Sequence, residues 1–183
     1  MHGEPSCSDW KRSYQNIQDF IVRPLRSSGA EVSVFIASYR DTNCRSRDQE
    51  MLNAYRPTAF RFDPDPYTSN TTSRRVDGYI RAIDLVRRFA DNRTHGDSLP
   101  IDALVLLRFD VRYNVPITAL PLDWRAVNLP FRDNVMQWQW CQQVSDLLFV
   151  LPMAYASHLT RALGTLLFIH MRISCCASIW MYQ

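Results

Sequence analysis

The sequence predicts a mixed α/β chain with a mostly parallel sheet in three layers. Three observations carry that prediction. Apolar, β-branched runs alternate with segments of helical period, in the order strand, helix, strand, helix, strand. One run, Ala103-Leu104-Val105-Leu106-Leu107, is apolar at every position, the pattern of a strand covered on both faces. The chain has 183 residues, 46% hydrophobic and 21% charged, which suits one globular domain rather than a disordered chain. That domain is expected over residues 1–160, with an apolar tail over 161–183.

The elements follow in order. Asp9 is placed to cap a helix beginning at Trp10; Tyr14, Ile17 and Ile21 share its apolar face, and Pro24 is expected to stop it. Ser27-Ser28-Gly29 reads as a turn, and Val32 to Tyr39 as a buried strand. Arg40 to Arg47 is polar and reads as loop, followed by a short helix over Met51 to Tyr55 and a short strand over Ala59 to Phe62. Thr71 to Ser73 opens the clearest helix, with Val76, Tyr79, Ile80, Ile83, Val86 and Ala90 in one stripe. Asp77 with Arg81 and Asp84 with Arg88 are i,i+4 pairs on its solvated face. Pro116, Pro121 and Pro130 punctuate an ordered loop after the 103–107 run. Val135 to Val144 reads as helix, Leu147 to Leu151 as strand and Ala154 to Leu163 as a last helix.

Charge narrows the function. Of 21 basic residues only Lys11 is not arginine, yet the net charge is +3 and the two signs interleave. A nucleic-acid partner would want a concentrated basic face, so none is expected. Arginine does suit phosphate and carboxylate, which its planar fork binds in two places; a compositional bias of the source explains the same count. The cysteines (Cys7, Cys44, Cys141, Cys175, Cys176) and the four histidines show no zinc spacing. Asn70-Thr71-Thr72 and Asn92-Arg93-Thr94 are glycosylation triplets that matter only in a secretory lumen.

The chemistry-bearing stretch is Leu107-Arg108-Phe109-Asp110-Val111-Arg112-Tyr113. If the strand continues, Arg108, Asp110 and Arg112 share one face where a buried strand ends. Ligands of open α/β sheets sit at such carboxyl ends. An ion-pair cluster at the end of the sheet is the structural alternative.

Four stretches resemble a family of glycosyltransferase-like proteins with a nucleotide-diphospho-sugar transferase (GT-A-like, Rossmann-like) fold. They are His2-Gly3-Glu4-Pro5 with the helix after it, Glu31 to Tyr39, Leu107 to Tyr113, and Val144 to Pro152. The resemblance implies transfer of a sugar from a nucleotide-sugar donor to the hydroxyl of a glycan or glycoconjugate acceptor. It implies donor binding by Gly3, Glu4, Arg108, Asp110 and Arg112, and a divalent ion, Mn²⁺ or Mg²⁺, held at Asp110. The family's paired carboxylates are incomplete here, because Arg112 stands two residues after Asp110. Either Asp110 holds metal together with water and substrate phosphate, or the arginines replace the metal as diphosphate clamps. Asp146, at the family's Ser-Asp position, and Asp123 are the candidate general bases. A helix cap is the alternative for Asp146. Trp138 and Trp140 are candidates to stack on a sugar.

Ser6-Cys7 stands where the family tends to place a basic residue, and Met1 almost adjoins the first motif. A truncated N-terminus, with an incomplete sheet, is therefore expected. The alternative function is a non-catalytic or truncated relative of the same fold, acting as a binding or vestigial domain. A truncated chain implies an endomembrane or Golgi lumen; otherwise the polar start implies cytoplasm. Leu163 to Tyr182 is nearly apolar, but Arg172 falls mid-way, so a core helix or a non-native segment is expected before a membrane span.

Overall fold

A computed structural model describes residues 9–39, 45–64, 71–92, 101–108, 111–129 and 148–172. Its elements are α1 (Asp9–Ile17), a π-helical turn (Gln18–Val22), α2 (Arg23–Ser27), β1 (Phe35–Tyr39), α3 (Arg45–Tyr55), β2 (Ala59–Asp63), α4 (Thr71–Asn92), β3 (Ala103–Leu107), a 3-10 turn (Ile117–Ala119), β4 (Leu148–Pro152), a second 3-10 turn (Met153–Tyr155) and α5 (Ala156–Arg172). The chain is mixed α/β, as expected. The described strands, however, pair two by two, β1 with β2 and β3 with β4, instead of forming one row. The chain divides into two compact units: residues 1–66 with 107–122, and residues 67–106 with 123–183. The expected boundary at 160/161 falls inside α5.

In the first unit the opening helix does not stop at Pro24. Proline has no N–H to donate and its ring crowds the carbonyl four residues back. The chain meets this with a wide turn, the Arg23 N–H reaching back to the Gln18 carbonyl, and α2 carries on to Ser27. Ile17, Ile21 and Val22 are buried on this stretch. It ends in a Schellman motif: Gly29 N–H bonds Arg26 C=O at 3.0 Å, and Ala30 N–H bonds Leu25 C=O at 3.1 Å. Gly29 sits at φ 92°, where a side chain would be strained.

β1 and β2 are parallel, in register from Phe35↔Ala59 to Tyr39↔Asp63, with α3 as the crossover. The strand is shorter than the Val32 to Tyr39 run, although Val34 C=O still accepts the Thr58 N–H at 2.7 Å. The helix before β2 is longer than expected, beginning at Arg45 instead of Met51. Its polar start reads as loop in the sequence, but arginine, glutamine and glutamate are good helix formers. Met51 and Tyr55, four apart, supply the buried face. Arg56 closes α3 in the left-handed region, φ 45°, its N–H on Leu52 C=O at 2.9 Å.

In the second unit α4 matches its sequence pattern. Tyr79, Ile83 and Val86 are buried, and the Arg81–Asp77 and Arg88–Asp84 pairs close at 2.7 and 2.9 Å. Tyr79 meets Phe149 of β4 edge-on, centroids 5.1 Å apart. β4 is buried from Leu148 to Leu151, whereas β3 buries only Leu104 and Leu106, so its apolar run is not equally covered on both faces. The Met153 N–H bonds the Asp102 carbonyl at 2.9 Å, which sets the end of β4 beside the start of β3. An antiparallel bridge joins Val150 to Asn128, so the pairing is not uniformly parallel. α5 packs on α4 and extends beyond the expected Leu163 into the apolar tail. No helix among the described residues is long and apolar enough to cross a membrane.

Candidate functional site

The stretch after β3 is built by a contact from far away in the chain. β3 ends at Leu107, so Arg108 and Arg112 lie beyond the strand, and strand alternation does not set where they face. Instead the segment is pinned to α1. Asn16 Nδ2 donates to Tyr113 C=O at 2.7 Å, and Tyr113 N–H donates to Asn16 Oδ1 at 2.6 Å. One edge of a carboxamide presents an N–H donor beside a C=O acceptor, so Asn16 stands in for a strand neighbour. Tyr113 is buried. Its unpaired N–H and C=O would cost about 1–3 kcal/mol each. Three residues on, Pro116 starts a 3-10 turn whose Ile117 is fully buried, and that turn packs against the π turn and α2.

Between these anchors and the strand, Arg108 is half-buried and Arg112 is exposed. Arg108 is engaged within the fold; Arg112 makes no ion pair among the described residues. Arg112 directly precedes the anchored Tyr113, so its backbone has little freedom to lose when the guanidinium grips an anion.

The carboxyl end of the parallel β1–β2 pair lies in the same unit. Tyr39 and Asp63 are register partners there, and Arg61 Nε meets Asp63 Oδ2 at 2.6 Å. In the sequence Asp63 simply follows the short strand expected over Ala59 to Phe62. Its location at a carboxyl edge becomes visible once the parallel pairing is known.

Asp123, in the second unit, is exposed and shapes a turn. Its Oδ1 accepts the Arg125 N–H at 2.9 Å and its carbonyl accepts the Ala126 N–H at 3.0 Å. The neighbouring Trp124 is exposed. Among the residues of the sequence-derived site, Arg108, Arg112 and Asp123 are described; Gly3, Glu4, Asp110 and Asp146 lie outside the described residues, as do Trp138, Trp140 and all five cysteines. No group of three or more His, Cys, Asp or Glu side chains placed to hold a metal occurs among the described residues.

Compared with family models, curated proteins and solved structures, the chain matches none.

Proposed function

We propose that the chain is a glycosyltransferase-like domain that binds a nucleotide sugar and transfers the sugar to an acceptor hydroxyl. The observation that carries the proposal is the Asn16–Tyr113 clamp, which anchors the residue directly after Arg112. A nucleotide sugar leaves as a diphosphate, and the charge that grows on it needs fixed donors. Arg112 and Arg108 are the donors in this reading, with Gly3 and Glu4 lining the donor. One carboxylate between two arginines in sequence does not make an all-protein metal cage. Where a divalent ion, Mn²⁺ or Mg²⁺, takes part, Asp110 would hold it, and the ion would neutralise charge on the departing diphosphate.

In the transfer, the acceptor oxygen bonds the anomeric carbon as the bond to phosphate breaks. The hydroxyl proton passes to a carboxylate, the role the resemblance implies for Asp146 or Asp123. The second reading, a binding or vestigial domain of the same fold, is favoured by one observation: the Asp123 carboxylate already accepts a backbone N–H in its own turn. Titration of the folded chain with nucleoside diphosphates separates the readings. The transferase reading expects saturable binding that weakens by about tenfold or more in Arg112→Ala, the scale of one charge-assisted bond. It expects loss of any Mn²⁺ dependence in Asp110→Ala. Binding unaltered in both variants contradicts it.

A further inference from the structure

We infer that Pro24 is a positioning residue for Arg112, acting through the π turn that phases Asn16 with the seat of Ile117. The stretch after Arg112 meets one helical run at two points. Tyr113 bonds Asn16 of α1 through both its N–H and its C=O, at 2.6 and 2.7 Å. Further on, fully buried Ile117 opens the 3-10 turn that packs on the π turn and on α2. The π turn, Gln18–Val22, follows Asn16 and precedes α2. In an α-helix each residue turns the chain by about 100°. The π turn closes one residue wider, with the Arg23 N–H on the Gln18 carbonyl, and so takes up one residue more than an α turn. As a plain α-helix, the run would carry Asn16 round by about that angle relative to α2. With Ile117 seated, Tyr113 would then face another side of α1 and lose both bonds.

The buried face carries the same correction. Ser13, Ile17 and Ile21 are buried at steps of four. In an α-helix a step of four drifts by about 40°. The wider turn takes that drift back, so Ile21 and Val22 both stay buried. Pro24 enforces the wider turn. An α ladder through this point needs an N–H at residue 24 to meet the Phe20 carbonyl; proline has none, and its ring crowds that carbonyl. Alanine there supplies the N–H and opens the α register. The inference rests on the transferase reading only for what Arg112 grips; the phasing of Asn16 and Tyr113 does not depend on it.

The test is a double-mutant cycle on the full chain, Pro24→Ala against Asn16→Leu, read by urea unfolding. Asn16→Leu raises the unfolding constant, and that rise is expected to shrink about tenfold in the Pro24→Ala background, as for residues that share one network. Hydrogen exchange at the Tyr113 N–H is expected to quicken about tenfold in Pro24→Ala. Ile21→Val trims the buried face without supplying an N–H, and is expected to leave the Asn16→Leu effect unchanged. Additive effects of Pro24→Ala and Asn16→Leu overturn the inference, as does unaltered exchange at Tyr113. Equal coupling with Ile21→Val also overturns it, because general loosening then explains the cycle. With ADP and UDP as probes, Pro24→Ala is expected to weaken binding about tenfold, and Arg112→Ala to add little to that loss. Undiminished nucleotide binding in Pro24→Ala overturns the positioning of Arg112. A wild-type chain that binds neither probe while the cycle is coupled sinks the transferase reading alone. Nucleotide binding with an additive cycle sinks this inference alone.

Discussion

Asn16 illustrates what a single side chain adds that local pattern does not carry. It lies on a polar position of an amphipathic helix, and nothing near it in sequence distinguishes it from a solvated asparagine. Its partner, Tyr113, is 97 residues away. The energetic asymmetry of hydrogen bonds makes its removal costly: Asn16→Leu is expected to destabilise the chain by about 2–4 kcal/mol, measured by urea unfolding, because two groups on a buried residue lose their partners. Asn16→Asp refines this. The ionised carboxylate accepts the Tyr113 N–H but faces the Tyr113 carbonyl oxygen, whereas the protonated acid donates to that carbonyl. The variant is therefore expected to be weakest, relative to the wild-type chain, near pH 7 and to regain stability as pH falls through the carboxyl pKa. A deficit independent of pH contradicts the clamp.

Tyr55 gives a dependence of the same sign, at alkaline pH. Burial, aided by the facing Tyr14 ring, pushes its hydroxyl above the ordinary value of 10.0. Below that value the group is neutral in both folded and unfolded chains and contributes nothing to the slope. Above it the unfolded chain loses the proton first, so stability falls as pH rises. Tyr55→Phe is expected to flatten the alkaline limb of the stability curve above about pH 10, read by thermal unfolding at a series of pH values.

Elements were legible where periodicity and charge spacing agreed. α4 has both an apolar stripe and two favourable ion pairs, and it forms over Thr71–Asn92 as the pattern implies. The first half of α3 has neither a stripe nor a clear cap, so its helix formers read as loop. The helix runs through Pro24 for a different reason: a π turn absorbs the missing N–H, and sequence period does not encode that escape. Two substitutions test these local accounts. Gly78 lies within α4 and a Cβ there meets nothing within 4 Å. Gly78→Ala is expected to stabilise by about 0.5–1 kcal/mol through helix propensity. Arg56 holds a left-handed conformation that glycine adopts freely, so Arg56→Gly is expected to stabilise by about 0.5 kcal/mol after the entropy of the unfolded chain is counted. Denaturant midpoints read both, and a loss of stability in either case contradicts the local geometry assigned.

At the scale of the molecule, the mixed α/β class was legible because apolar runs alternate with amphipathic ones. How strands pair was not. Ala103 to Leu107 reads as a strand covered on both faces, yet only alternate residues are buried, and its described neighbour is β4. Pairing depends on contacts such as Met153 with Asp102, across some fifty residues of chain, which no local period reports. The candidate site divides in the same way. Arg108 and Arg112 stand out by residue type, while the anchor beside Arg112, Asn16, emerges only from a three-dimensional contact.

On the proposed reading, the first unit grips a nucleotide diphosphate through Arg108 and Arg112. The most direct measurement is the melting temperature of the folded chain against a panel of nucleoside diphosphates and nucleotide sugars, with and without Mn²⁺. A ligand that binds only the folded state at 100-fold above its Kd adds about 2.7 kcal/mol, a shift of several degrees. The account predicts such a shift with one nucleotide base, for the diphosphate as well as its sugar conjugate, and its reduction in Arg112→Ala. A chain that unfolds cooperatively and shows no shift with any member of the panel contradicts the account.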